Sequence, residues 1–153
     1  MASVLAVCVS DQKGVRKKPV KLIDILKQGG IIGDAHGEDP QRRISLLGNE
    51  SVEKLRDKIP ELTAGDFGEN ILTEGITLYE LPIGTRLKIG EVDLEITKIG
   101  KECHLGCAIK QLTGDCVMPR EGVFAEVITE GIIRPNDSIE IIDYLITFQG
   151  ENT

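Results

Sequence analysis

Alternation of apolar and polar positions marks residues 4–10 as a first strand, followed by a polar, basic loop or hairpin tip over 11–19. Leu22, Ile23, Ile25 and Leu26 fit either a short helical turn or a strand that ends at Gly29-Gly30. The glycines at 29, 30, 33 and 37 keep the next run out of a helix, and a strand is predicted over 43–47. One helix stands out, over 50–58. Val52 and Leu55 face inward, charges face outward, Asn49 or Ser51 is placed to cap it, and Pro60 closes it. Beyond it come short β-branched runs over 69–72, 77–81, 86–89 and 92–99, separated by Gly75, Pro82-Ile83-Gly84 and Gly90-Glu91. Strands over 124–129, 138–144 and 145–148 complete the set. Many short strands at this spacing predict a mainly β (α+β) fold, a barrel-like mixed sheet with one or two short edge helices. With no repeat and no linker, residues 1–148 read as a single domain and 149–153 as a frayed C-terminal tail.

Composition narrows the activities. A chain of 153 residues suits one domain with its own core. Aromatics are 3% and Trp is absent, so the core is aliphatic and stacking on exposed bases is not the activity. The net charge of −7 argues against nucleic acid or an anionic membrane as partner; an anionic ligand would need a local basic pocket. The apolar start, 4–9, is too short for a signal peptide or a membrane span, and no other run approaches spanning length. The expected location is the cytoplasm.

Three of the four cysteines, Cys103, Cys107 and Cys116, fall within fourteen positions, which in such a chain suggests metal or reactive-thiol chemistry before a disulfide framework. Cys103 follows the best-patterned strand, broken at Gly100, and Lys101 beside it favours the thiolate. Three readings stand at this point. Cys103 alone ligates a soft metal or carries sulfur. Cys103, His104, Cys107 and Cys116 together bind zinc, although adjacent Cys-His ligands and the gap to Cys116 are not a standard spacing. Or some of these thiols are small buried hydrophobes, the reading favoured for Cys8 inside its apolar strand.

Several blocks, taken in order, resemble the molybdenum-cofactor sulfurase C-terminal (MOSC) domain family. They are Gly33-Asp34-Ala35-His36 with Gln41-Arg42-Arg43 and Ile44-Ser45-Leu46-Leu47; Gly65-Asp66-Phe67-Gly68-Glu69-Asn70-Ile71; Leu81-Pro82-Ile83-Gly84; Lys101-Glu102-Cys103; Met118-Pro119-Arg120-Glu121-Gly122; and Arg134-Pro135-Asn136-Asp137. No single block is specific; their order and spacing over residues 4–144 are, and they are closest to short bacterial stand-alone members. The resemblance implies a barrel-like β fold that binds a pterin-based molybdenum cofactor (molybdopterin), with Cys103 beside the metal or receiving sulfur. Gly100 stands where some relatives carry another cysteine, and Cys107 and Cys116 are additional. The reaction it implies is open between sulfur carrier or transferase and component of a molybdenum-dependent reductase. The other open role is an accessory module that meets a sulfur donor or a cofactor-delivery protein.

For such a cofactor, the loop bearing His36, with Arg42 and Arg43, supplies backbone N–H groups and a guanidinium fork for phosphate, the alternative being a solvated charge pair. Strand alternation turns only one of the two arginines toward the site. Asn70 offers paired donor and acceptor groups to a pterin edge, or else stabilises a turn. Arg120 is a second phosphate contact or a surface partner of Glu121.

Overall fold

The structure, a computed structural model, describes residues 2–11, 16–28, 30–34, 44–100 and 121–143. The elements are β1 (Ser3–Val9), β2 (Lys18–Val20), β3 (Ile23–Leu26), β4 (Gly30–Ile31), β5 (Ile44–Gly48), α1 (Asn49–Glu53), β6 (Ile71–Glu74), a 3-10 turn (Leu78–Glu80), β7 (Arg86–Ile89), β8 (Val92–Ile99), β9 (Val123–Thr129), β10 (Gly131–Ile133) and β11 (Ile139–Asp143). Eight strands form one sheet in the order β11-β7-β8-β9-β5-β6-β1-β2, and β10-β3-β4 form a second. Among the described residues only β5 and β6 pair in parallel, and every other strand pair is antiparallel.

The mainly β class is as expected, with a mixed sheet and, among the described residues, one short α-helix. Among the described residues the sheet does not close, so barrel-like describes it only loosely. It curls far enough that Ser3 bridges Ser138 and the Val4 N–H donates to Asp137 O at 2.9 Å, but β11 and β2 remain its edges.

Burial explains the patterns. β7 and β8 alternate cleanly, their Leu87, Ile89, Val92, Leu94 and Ile96 buried and the intervening residues turned outward. β5 is buried at all five positions because both its faces are covered. Ile44 and Leu46 join a cluster with Ile23, Ile25, Ile31 and Ile133 of the small sheet. Leu47 joins the other, with Val52, Leu55, Ile59, Leu62 and Phe67 from the segment after it.

Three local expectations need correction. The helix predicted over 50–58 is α-helical only over Asn49–Glu53 and continues as turns, Lys58 and Ile59 both donating to Leu55 O. Neither Asn49 nor Ser51 caps it. Gly48 is the N-cap, with no side-chain bond, because the Asn49 amide oxygen accepts from Arg56 and the Ser51 hydroxyl donates to Glu121. The strand expected over 77–81 is the 3-10 turn, closed by Glu80 N–H to Thr77 O and Leu81 N–H to Leu78 O. The strand expected over 145–148 and the tail lie outside the described residues.

Candidate functional site

Of the site residues expected from sequence, the described part of the chain contains Asn70. His36, Arg42, Arg43, Lys101, Cys103, His104, Cys107, Cys116 and Arg120 lie outside it. What the structure gives is the frame on either side of those segments.

One part of the frame lies at the start of β5 and β6. Gly65 has φ +90°, and a Cβ there would stand 2.0 Å from Lys17 O, so only glycine lets the 65–69 loop lie against the chain leading into β2. The Lys17 N–H donates to Gly65 O at 2.8 Å. The loop folds over its own acid: Gly65 N–H donates to Glu69 Oε2 at 2.7 Å and Phe67 N–H to Oε1 at 3.2 Å. Glu69 is fully buried, and burial, with Asp66 adding to it, pushes its carboxyl up to about 7 against the backbone N–H groups of Gly65, Glu69 and Phe67.

Asn70 ties three strands together. Its Oδ1 accepts from the Ser45 N–H at 3.0 Å and the Ser45 hydroxyl at 3.1 Å, and its Nδ2 donates to Cys8 O at 3.0 Å. Both ends of the amide are thus engaged by protein groups, the geometry of a strand stabiliser. Cys8 is buried and reduced; burial first, then the Glu69 charge, pushes its thiol up to about 12, so it is held as a thiol.

Next to this lies an ion pair that spacing did not reveal. Lys17 Nζ lies 2.7 Å from Asp34 Oδ1, with both side chains sealed from solvent, and the same oxygen accepts from the Ser10 N–H at 3.0 Å. It pins Asp34, the last described residue before the His36 segment, to the end of β1. Glu69 was likewise missed as a buried acid. The one signal for it was a carboxylate between Gly68 and an apolar strand.

The other part of the frame is where β8 hands the chain to the cysteine segment. Gly100 N–H donates to Gly122 O at 2.6 Å across the base of residues 101–120. Glu121, directly after Arg120, turns to α1: it accepts from the Ser51 hydroxyl at 2.5 Å and from Lys54 at 2.8 Å. This bond holds the Lys54 ammonium above its ordinary value. The pairing of Glu121 among the described residues is therefore with Lys54. Across the sheet, Ile44 pairs with Ala125 and Ala125 with Ile96. The first described residue after Arg43 and the end of β8 are thus two strands apart and about three residues out of step, roughly 15 Å.

Among solved structures, the chain is similar to the YuaD protein of Bacillus subtilis (TM-score 0.76, 20% identity, covering 94% of this chain and 97% of that one). It is also similar to YiiM of Geobacillus stearothermophilus (TM-score 0.74, 22% identity, 94% and 76%) and YiiM of Escherichia coli (0.64, 19%, 94% and 71%). At these identities the likeness is one of fold. A sequence search among curated proteins finds no match. No helix among the described residues is long and apolar enough to cross a membrane. The MOSC domain model matches residues 33–140, well over half of the chain and spanning both parts of the frame, and on that ground the chain belongs to the MOSC domain family.

Proposed function

We propose that this protein binds a pterin-based molybdenum cofactor in the cytoplasm through the Cys103 thiolate, with Arg42, Arg43 and Arg120 on the cofactor phosphate, and His36 and Lys101 beside it. MOSC domains are associated with that cofactor. The observation that carries the reading is the register of β5, β9 and β8. It brings the chain ends flanking the arginine segment and the cysteine segment to β5 and β8, two strands apart across β9 and roughly 15 Å from one another.

The donor chemistry suits such a group. Among the described residues at the start of β5, Lys17 is bonded to Asp34 and Asn70 to Ser45 and Cys8, so they build the walls rather than the anion contacts. The neighbouring segments carry Arg42, Arg43, Lys101 and Arg120 among their cations, together with a soft sulfur donor, the set an anionic, thiophilic ligand calls for. The cofactor, when bound, supplies a redox-active metal; the protein's part is to hold the phosphate, ionise Cys103 and present its sulfur as ligand or sulfur acceptor. A sulfur donor or delivery protein is the partner this role implies.

The reading is tested by adding released cofactor to the cofactor-free protein and following pterin fluorescence. Saturable binding is expected, lost when Arg42 and Arg43 are both replaced by alanine. Binding that is equal in the double variant would contradict it.

A further inference from the structure

Glu69 and Asp34 lie on separate parts of the chain, yet a short run of bonds joins them through Gly65 and Lys17. The Gly65 N–H donates to Glu69 Oε2 at 2.7 Å, while the carbonyl of the same residue accepts from the Lys17 N–H at 2.8 Å. The two backbones come so close there that a Cβ on Gly65 would overlap the Lys17 carbonyl. The Lys17 ammonium then holds Asp34 Oδ1 at 2.7 Å, and the Ser10 N–H donates to that same oxygen at 3.0 Å. Gly65 therefore cannot move without disturbing the backbone of Lys17, the residue that pins Asp34.

At the head of this run stands an acid with no counter-ion. Glu69 is fully buried, and its two oxygens accept from the N–H groups of Gly65 and Phe67, with no cation bonded to them among the described residues. The titratable groups around it there are Asp66 on its own loop, Cys8 on β1 and Lys17 ahead of β2. Cys8 stays a thiol, and the Lys17 ammonium is bonded to Asp34. A proton lost from Glu69 thus leaves an uncompensated charge in a sealed place. Parting the 65–69 loop from Lys17, so that water reaches the carboxylate, relieves it.

We propose that Glu69 is a positioning residue: its protonation sets, through Gly65 and Lys17, how firmly Asp34 and the segment running on to His36 are held, so that an anionic ligand at that segment binds more weakly once the acid ionises. The link from Glu69 to Asp34 needs no ligand. Its effect on binding rests on the cofactor reading.

An NMR pH titration of the ligand-free protein tests the link. The Gly65 and Phe67 amides report Glu69 directly, the Lys17 amide reports its contact with Gly65, and the Ser10 amide reports Asp34. All four are expected to shift with one midpoint at about 7, and to lose it in Glu69→Gln, whose side chain does not ionise. The titration of the unsubstituted protein stands without the variant. Shifts confined to Gly65 and Phe67, no shift at any of the four, or a Ser10 midpoint that survives in the variant would each overturn the link. Pterin binding measured on both proteins over the same pH range tests the effect on the ligand. The affinity of the unsubstituted protein is expected to fall roughly tenfold more than that of Glu69→Gln, an ordinary coupling between two sites. The variant keeps whatever His36 and the phosphate contribute by titrating, so the difference belongs to Glu69. Equal falls in the two proteins overturn the effect on binding. No pterin binding at any pH, with the four amides still titrating together, removes the cofactor reading and leaves the link standing.

Discussion

Lys17 and Asp34 form an ion pair 2.7 Å long in which neither side chain reaches solvent. Because both charges are desolvated, removing Lys17 takes this ion-pair partner from a carboxylate that stays buried, with the Ser10 N–H still donating to it. Lys17→Met is expected to destabilise the protein by about 3–5 kcal/mol, read as a lower midpoint in urea unfolding. A loss below about 1 kcal/mol, the usual worth of an exposed pair, would mean that the pair is open to solvent.

The 65–69 loop gives the protein an acid-side pH dependence. Glu69 has its carboxyl raised from 4.5 to about 7 by burial. Between those values the folded state holds a proton that the unfolded chain has lost. Its contribution is therefore fully present below 4.5 and falls as pH rises through 7, by about 3 kcal/mol in all. Unfolding free energies measured from pH 4.5 to 7.5 on the protein and on Glu69→Gln check this. The slope is expected to flatten in the variant, which is also less stable at the acid end, because a Gln nitrogen would face one of the two loop N–H donors.

The cysteines are expected to separate by reactivity. Cys8 is buried with its thiol pushed up to about 12, against an ordinary 9.0. Alkylation at pH 8, resolved by peptide mass, should leave Cys8 at least about a thousandfold slower than a free thiol until the protein is unfolded. Cys103 is expected to label in the folded state. Rapid labelling of Cys8 would contradict the buried assignment, and protection of Cys103 would remove the accessible thiolate from the account.

Much of the fold was legible where burial alternates with the pleat. β7 and β8 fall on the residues their pattern predicts, 86–89 and 92–99. The run at 77–81 misled because β-branched and aromatic residues report burial rather than pairing. Leu78 is buried and Tyr79 partly so, but among the described residues no strand pairs with them, and Pro82 follows. β10, three residues long, carries too few positions for a period to show.

The candidate site was legible in residue type and less so in partnership. An amide at Asn70 announces hydrogen bonding, but whether it meets a ligand or meets Ser45 and Cys8 depends on strands 25 and 62 residues away. The buried pairing of Lys17 with Asp34 is of the same kind: two charges 17 residues apart, with no local periodicity to link them.

The central claim is that Cys103 holds or serves a molybdenum cofactor, and metal and pterin content measures it most directly. Protein purified from cells that make the cofactor is expected to carry molybdenum and pterin together, and Cys103→Ser to lose most of the molybdenum while remaining folded. Purified protein with zinc in place of molybdenum, or a Cys103→Ser variant that keeps its full molybdenum content, would contradict it.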